Sequence, residues 1–209
     1  MSKADSKHAG LVAVMLAAGT SSRFGGCKLS ATIHGKSILE HSLSPLQQVF
    51  GQQCLVVLGA HASQLRPLLG STPSTYCEDY RQGMGHSLAC GVREATRRFA
   101  PKAILLVLAD QVALSADDYR ALLKASANGE RLCCAAYPPA EAGQHRAPLL
   151  GVPAVFPASY SRQLMSLQGD RGARHLLSVA SPAAKTVALP NAAIDIDTPA
   201  ALQRYLLTR

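Results

Sequence analysis

The sequence has few of the residues that mark nucleic-acid-binding and membrane proteins. It contains no tryptophan, only 5% of its residues are aromatic, and no run of basic residues interleaves with aromatic ones. Proteins that bind single-stranded nucleic acid stack the bases on aromatic side chains, so we expect no nucleic-acid partner. No apolar run reaches the ~18 residues that a membrane-spanning helix requires, so we expect no membrane association.

Cysteine motifs and an apolar N-terminal segment are also missing. The six cysteines, which include the adjacent Cys133 and Cys134, show neither the paired spacing of a metal site nor the density of a disulfide framework. We interpret most of them as small buried hydrophobic side chains. Residues 1–8 are polar and lack the core of a signal peptide. These features predict a cytoplasmic protein with a flexible N-terminus over residues 1–10 and a single domain over residues 11–209.

Negative charge is scarce. The chain has 21 lysines and arginines against 13 aspartates and glutamates, which gives a formal net charge of +8. Such an excess favours an anionic partner. Because the sequence disfavours nucleic acid, we expect a small polyanion, such as a nucleotide together with a phosphorylated acceptor.

Apolar runs typical of strands alternate with amphipathic patterns typical of helices. Predicted strands lie near residues 11–18, 54–58, 103–109, 132–136 and 152–156. Predicted helices lie near residues 38–50, 61–69, 86–98, 116–127, 158–168 and 200–207. The alternation predicts an α/β fold, a Rossmann-like three-layer sandwich with a mainly parallel central sheet. Residues 137–148, which contain three prolines, are predicted to form a loop near the active site.

The most informative segment covers residues 16–28 (LAAGTSSRFGGCK). An apolar run ends at Gly19, where glycine and small hydroxyl residues let the backbone turn tightly and approach a ligand. Successive N–H groups in such a loop form an anion-binding nest, to which Arg23 and Lys28 add positive charge. We therefore expect this loop to bind the phosphates of a nucleotide. An ordinary strand-to-helix turn with solvated charges is the alternative.

Two other glycine-containing segments fail the spacing tests of common phosphate-binding motifs. Residues 35–37 end like a P-loop, but Ser30 occupies the position of its first glycine. Residues 83–88 begin like a dinucleotide fingerprint, but Leu88 replaces its third glycine. Neither motif is therefore present in the chain.

The chain resembles the molybdenum cofactor cytidylyltransferases, within the MobA-like nucleotidyltransferase superfamily. Residues 16–28 match the signature loop of the superfamily. Four further segments agree in order and spacing, and they are residues 82–88, 108–111, 169–174 and 195–199. The segment 169–174 (GDRGAR) points to the molybdenum branch. Ala18 favours cytidylyl transfer, because guanylyl-transferring relatives usually carry two glycines where this chain has Ala18 and Gly19.

The resemblance implies a nucleotide site and a magnesium site. Arg23, Lys28 and Asp110 are expected to be catalytic. Mg²⁺ is expected to bind Asp110 and Asp197, with Asp195 a weaker candidate. On the residues alone, the alternative is that Asp110 is a helix-cap or loop residue and that Asp195 and Asp197 are solvated residues near a cap. The expected nucleotide-binding residues are Leu16, Ala17, Ala18, Gly19, Thr20, Ser21, Arg23, Lys28, Gly83, Gly85, Ser87 and Asp110.

The segment 169–174 is expected to hold the second substrate. Asp170, Arg171 and Arg174 are the candidate acceptor-binding residues, because two nearby guanidinium groups can bind a phosphate bidentately. A solvated charged turn is the alternative. His86 stands where a small hydroxyl residue is usual, and we interpret it as a surface histidine near the site.

The implied reaction transfers CMP from CTP to molybdenum-molybdopterin and releases pyrophosphate. CTP and molybdenum-molybdopterin are thus the expected substrates, Mg²⁺ the expected cofactor, and a molybdoenzyme that receives the product a further partner. Two alternatives stay open. One is the same chemistry with GTP or with another phosphorylated acceptor, such as a sugar phosphate. The other is a non-catalytic nucleotide-binding module that carries the cofactor.

Overall fold

The computed structural model describes residues 9–137, 148–179, 184–194 and 196–208. Most of the predicted flexible N-terminus, most of the predicted loop at residues 137–148, and Asp195 lie outside the described residues. The described chain forms nine strands and seven α-helices, joined by turns and short 3-10 helices.

The bounds of the elements are as follows. The strands are β1 (Leu11–Ala17), β2 (Thr32–Ile33), β3 (Lys36–Ser37), β4 (Cys54–Leu58), β5 (Ser74–Tyr76), β6 (Ala103–Leu108), β7 (Cys133–Tyr137), β8 (Leu149–Pro157) and β9 (Lys185–Ala188). The helices are α1 (Ile38–Phe50), α2 (Ala62–Leu65), α3 (Met84–Phe99), α4 (Ala116–Ala125), α5 (Ser161–Met165), α6 (Ala173–Val179) and α7 (Pro199–Leu207).

Seven strands form one sheet of order β5-β4-β1-β6-β8-β7-β9. Strand β1 is parallel to both of its neighbours, and its Val14 pairs with Leu55 of β4 and Leu106 of β6. Strand β8 is antiparallel to both β6 and β7, whereas the other pairings in the sheet are parallel. The prediction of an α/β fold with a mainly parallel sheet is confirmed.

The side chains of β1 alternate between two apolar layers, because successive residues of a strand point to opposite faces of the sheet. Met15 and Ala17 join a cluster with residues of α1 and α4, whereas Val14 joins a cluster with residues of α3. A Cβ built on Gly91 of α3 would lie 2.5 Å from Val57 of β4, so glycine allows this helix to pack closely on the sheet. Helices therefore cover both faces, which gives the three predicted layers.

The chain between β1 and α1 forms a hairpin and a helix cap. His34 and Gly35 have φ values of 46° and 80° and make the two-residue turn between β2 and β3. Ser37 and Glu40 then form a capping box at the start of α1, each side chain accepting the backbone N–H of the other. Residues 35–37 thus serve turn and cap geometry, in agreement with the absence of a P-loop.

Several short elements escape sequence-based prediction. Strands β5 and β9 are the two edges of the sheet and contain no fully buried residue, so neither shows a continuous apolar run. Helix α6 has seven residues and buries only two of them. The predicted helix at residues 61–69 is divided into α2 and a 3-10 helix that contains Pro67, which lacks a backbone N–H. None of the described helices is long and apolar enough to cross a membrane.

Candidate active site

A cleft of about 520 Å³ opens at the carboxyl ends of β1 and β6. Parallel α/β sheets bind their ligands at this end of the strands. The loop after β1, the turn after β6, the start of α3 and the segment before α7 all contribute to the cleft. Of the predicted site residues, the lining contains Leu16, Ala17, Ala18, Gly19, Thr20, Ser21, Arg23, Lys28, Gly83, Ser87, Asp110, Asp170 and Asp197.

The loop after β1 is anchored at its base and open beyond it. The carbonyl of Ala18 accepts a hydrogen bond from the N–H of Ala60 at 3.2 Å. A Cβ built on Gly59 would lie 2.5 Å from the same oxygen, so the two segments approach closely. No heavy atom of the described residues lies within 4 Å of the position that a Cβ on Gly19 would take. The backbone at Gly19 is therefore accessible to a ligand in the cleft.

Three predicted residues meet in the cleft around one ammonium group. Nζ of Lys28 lies 2.7 Å from Oδ2 of Asp110 and 2.7 Å from Oδ1 of Asp197. Arg23 joins this cluster through Nη1, which lies 3.1 Å from Oδ2 of Asp197. Lys28 is separated along the chain by 82 residues from Asp110 and by 169 from Asp197. The cluster therefore depends on the tertiary fold.

Local structure positions each member of the cluster. Lys28 is the first residue of a 3-10 helix that follows the glycine-rich loop. Asp110 lies in the turn directly after β6. Asp197 precedes Thr198, whose hydroxyl caps α7 by accepting the N–H of Ala201 at 3.1 Å. A strand end, a helix start and a helix cap thus direct three side chains to one point.

The cluster balances two cations with two carboxylates. Burial alone would lower the pKa of Lys28, but attraction to Asp110 and hydrogen bonds to both aspartates raise that pKa above its ordinary value. The hydrogen bond from Lys28 lowers the pKa of Asp197, and the charges of Lys28 and Arg23 act in the same direction. Lys28 is therefore an ammonium group and Asp197 a carboxylate at neutral pH.

One carboxylate oxygen of this cluster is suited to a cation. Oδ1 of Asp110 is buried and has no hydrogen-bond partner among the described residues, which is an unfavourable state for a polar atom. Mg²⁺ is usually bound by one or two carboxylates together with phosphate oxygens and water. Asp110 and Asp197 fit such an ion. No cluster of three histidine, cysteine, aspartate or glutamate side chains suited to a metal occurs in the described part of the chain.

The start of α3 packs tightly against residues 168–171. Gly83 has a φ of 117°, and a Cβ there would overlap the backbone of Gly169. The N–H of Gly85 donates to the carbonyl of Gly169 at 2.8 Å. Gly83 and Ser87 line the cleft, whereas Gly85 does not and instead makes this packing contact. The predicted nucleotide loop and the predicted acceptor segment are thus joined.

The three predicted acceptor residues are placed differently. Asp170 lines the cleft, whereas Arg171 and Arg174 are exposed and do not line it. Nη2 of Arg174 lies 3.4 Å from the hydroxyl oxygen of Tyr137. Both arginines lie near the start of α6, beside the cleft residue Asp170. Their contact with an acceptor stays a prediction.

Comparison with known proteins identifies the family. Residues 13–186 match the family of MobA-like NTP transferase domains. The chain belongs to this family. Over 176 residues it is also 31% identical to the purine catabolism protein PucB of Bacillus subtilis (strain 168), and the match covers 80% of each chain. As a MobA-like domain, the protein is a nucleotidyltransferase.

Solved structures share the fold of this MobA-like domain. The crystal structure of Rv0371c from Mycobacterium tuberculosis H37Rv has a TM-score of 0.75 at 24% identity and covers 94% of this chain and 98% of its own. A crystal structure of Rv0371c in complex with manganese has a TM-score of 0.72 at 23% identity, with coverage of 96% and 100%. At these identities, the likeness establishes the shared architecture.

The MobA-like cleft also contains residues whose role the sequence does not indicate. Tyr80, Arg81 and Met84 line it. Nε of Arg81 donates to the hydroxyl of Tyr80 at 3.0 Å, and its guanidinium carbon lies 5.6 Å from the centre of that ring. Their only signal in the sequence is their position in and beside the matched segment 82–88. These side chains reach the cleft because of the directions in which they point, and those directions cannot be read from the sequence of the segment.

Proposed function

We propose that this MobA-like protein transfers CMP from CTP to molybdenum-molybdopterin, releasing pyrophosphate and forming the cytosine dinucleotide form of the cofactor. The observation that carries nucleotidyl transfer is the Lys28 ammonium held between Asp110 and Asp197 in the cleft. Ala18 and the segment 169–174 support CTP and the molybdenum-containing acceptor through their resemblance to the molybdenum cofactor cytidylyltransferases. The proposed location is the cytoplasm.

The proposed reaction is a direct in-line displacement. A terminal phosphate oxygen of the acceptor attacks the α-phosphorus of CTP and forms the new phosphorus–oxygen bond. The bond from the α-phosphorus to the oxygen that bridges to the β-phosphorus breaks, and pyrophosphate leaves with that electron pair. No covalent enzyme intermediate is needed, so the chain contributes positioning and charge stabilisation.

Lys28 and Arg23 supply positive charge to the triphosphate. The side chain of Lys28 is only 13% exposed and is held by two carboxylates, so its ammonium group is fixed in place. Arg23 is 77% exposed and makes one ion pair within the described part of the chain, so its guanidinium group has freedom to follow the leaving pyrophosphate. Both cations stabilise the charge that develops on the transferring and leaving groups.

Asp110 and Asp197 would hold the divalent cation. A bound Mg²⁺ supplies Lewis-acid stabilisation of phosphoryl oxygens. With the two carboxylates neutralised in this way, Lys28 and Arg23 carry positive charge that is available to the nucleotide. This assignment is supported by Oδ1 of Asp110, which has no partner among the residues that the structure describes, and by the manganese complex of the structurally similar Rv0371c.

Asp170, Arg171 and Arg174 are proposed to bind the acceptor. Asp170 lies in the cleft, and the hydrogen bond between Gly85 and Gly169 joins its segment to the nucleotide loop. The two exposed guanidinium groups beside it suit a phosphate of the acceptor. A molybdoenzyme that receives the product is the proposed downstream partner.

The experiment that tests the proposal is pyrophosphate release by the purified protein with Mg²⁺ and molybdenum-molybdopterin. CTP, GTP, ATP and UTP are compared in turn. We expect turnover with CTP at least about 100-fold faster than with the other three, in line with discrimination by hydrogen bonding to a base. Turnover only with GTP, or only with a phosphorylated sugar as acceptor, would overturn the substrate assignment and leave nucleotidyl transfer standing.

A matched pair of variants separates catalysis from cofactor carriage. Asp110→Asn removes one charge from the cluster, whereas Asp117→Asn removes the same charge from an exposed ion pair with Arg120 on α4. We expect Asp110→Asn to abolish pyrophosphate release and Asp117→Asn to leave it unchanged. If Asp110→Asn still delivers a functional cofactor to an apo-molybdoenzyme at the wild-type rate, the protein is a carrier.

A further inference from the structure

A buried side-chain amide lies directly beside the catalytic carboxylate. Gln111 is 3% exposed and follows Asp110 in the chain. Its Nε2 donates to the carbonyl of Val152 at 3.0 Å and to the carbonyl of Ala192 at 2.9 Å. Its Oε1 lies 3.4 Å from the N–H of Leu108. Both donors of this amide are therefore engaged by backbone carbonyls from distant parts of the chain.

Two of the three partners of Gln111 lie in elements that precede the two carboxylates in the chain. Leu108 is the last residue of β6, directly before the turn that bears Asp110. Ala192 lies in the 3-10 helix Pro190–Ala193, five residues before Asp197. Val152 lies in β8, the strand that pairs with β6. One amide thus ties the Asp110 turn to the segment that leads to Asp197.

The carboxylate of Asp110 has little other support. Its Oδ2 accepts from Lys28, and its Oδ1 has no partner within the described residues. The backbone hydrogen bond that closes its turn, from the N–H of Gln111 to the carbonyl of Leu108, is long at 3.5 Å. The position of the carboxylate is therefore set chiefly by the turn. Backbone and side chain both fix that turn to its surroundings: the N–H of Ala109 donates to the carbonyl of Leu16 at 3.1 Å, and the Gln111 amide donates to Val152 and Ala192.

We propose that Gln111 is a positioning residue that sets the spacing between Asp110 and Asp197, and thereby the affinity of this pair for the divalent cation. The inference rests on the proposed function only in placing a cation at these two aspartates. A change of even a few tenths of an ångström matters because Mg²⁺ demands near-ideal coordination geometry. Removal of a residue that orients the ligands of a metal commonly lowers the affinity of the site for that metal by about 10- to 100-fold.

Gln111→Met tests the inference, because methionine keeps the length and volume of glutamine and loses its hydrogen bonds. Gln47→Met is the control. Gln47 lies on helix α1, remote from the two aspartates, and its Nε2 donates to the hydroxyl of Thr72 at 2.8 Å, so this variant also loses a glutamine hydrogen bond. The measurement is Mn²⁺ binding by electron paramagnetic resonance, in the presence of a non-hydrolysable α,β-methylene analogue of CTP. We expect affinity to fall about 10-fold in Gln111→Met and to be unchanged in Gln47→Met.

A second variant and a second readout separate positioning from a purely structural role. Gln111→Asn keeps the polar amide but is one methylene shorter. Because an amide is retained at this buried position, we expect this variant to fold more readily than Gln111→Met and to show a smaller loss of Mn²⁺ affinity. Affinity for the CTP analogue at saturating Mn²⁺ is expected to stay within about twofold of wild type in both variants. Wild-type Mn²⁺ affinity in both, or an equal loss of analogue binding, overturns the inference.

The outcome is distinguishable from failure of the proposed reaction. If wild type binds Mn²⁺ with the analogue and this depends on Gln111, but no molybdenum-molybdopterin reacts, the acceptor is wrong and the positioning role stands. If wild type binds Mn²⁺ no better than Asp110→Asn does, the cation site is wrong and the inference falls with it.

Discussion

Nδ1 of His86 accepts a hydrogen bond from the backbone N–H of Gly169 at 3.2 Å. The carbonyl of the same glycine accepts from the N–H of Gly85 at 2.8 Å. Both backbone groups of Gly169 are thus held by the start of α3. His86, which stands where a small hydroxyl residue is usual, therefore connects the predicted nucleotide loop to the predicted acceptor segment.

Loss of this histidine is expected to weaken acceptor binding. His86→Ala removes one hydrogen bond, worth about 1 kcal/mol, so we expect the KM for the acceptor to rise about fivefold with the KM for CTP unchanged. His86→Asn, whose side-chain oxygen can accept in place of Nδ1, is expected to restore much of the loss. Initial-rate kinetics with each substrate varied in turn provide the measurement. An equal rise in both KM values would show a general loss of structure instead.

Removal of the central ammonium group is expected to stop catalysis. Lys28→Met leaves Asp110 and Asp197 without their common counter-charge and deprives the triphosphate of a fixed cation. We expect the rate of pyrophosphate release at saturating CTP to fall about 100- to 1,000-fold. Lys36→Met, at an exposed position of the β2–β3 hairpin, is the control and should retain full activity. A loss of less than tenfold in Lys28→Met would exclude a catalytic role for this lysine.

Substitution of Gly83 is expected to destabilise the fold. Its φ of 117° is unfavourable for any other residue, and a Cβ there would overlap the backbone of Gly169. Gly83→Ala should therefore lower the free energy of unfolding by about 2 kcal/mol or more. Gly26→Ala, where a Cβ meets no atom of the described chain within 4 Å, should change the free energy of unfolding by less than about 0.5 kcal/mol. Urea denaturation of both variants checks the contrast, which equal stabilities would contradict.

The ion pair of Asp197 is expected to stabilise the protein only above acidic pH. Because the hydrogen bond from Lys28 lowers the pKa of Asp197 below its ordinary 3.8, the stability it contributes is present above that value and is lost as pH falls through the folded-state pKa. The pKa of Lys28 is raised above its ordinary 10.5. The stability that its ammonium group contributes is therefore fully present below pH 10.5 and is lost as the pH rises through the higher folded-state pKa.

Thermal unfolding of Asp197→Asn and wild type across pH checks this dependence. We expect wild type to be more stable by less than about 1 kcal/mol near neutral pH, because Asp197 is partly exposed and solvent screens the pair. The difference should shrink as the pH falls below 3.8 and be lost at the acidic pH at which the carboxylate is protonated in the folded protein. A difference that stays constant down to that pH would show that the charge of Asp197 is not responsible.

Long elements with a clear apolar pattern are predictable from this sequence. The strand expected at residues 103–109 is observed as Ala103–Leu108, and the helix expected at residues 38–50 is observed as Ile38–Phe50. A fully buried strand requires a continuous apolar run, and a helix with one buried face requires apolar residues at helical spacing, so both can be recognised from neighbouring residues in the sequence. Edge strands such as Ser74–Tyr76 bury too little to leave such a pattern, so their existence depends on pairing with a neighbour.

The sequence by itself determined the glycine-rich turn after the first strand and the position of Asp110 after the end of another, because both are local consequences of residue type and strand length. The tertiary structure alone decided that Lys28 joins Asp110 and Asp197, which are distant in the chain. It also decided that the amide of Gln111 spans two segments and that Arg174 lies outside the cleft. Such contacts require strands from remote parts of the chain to align in register, and that alignment follows from packing of the whole sheet.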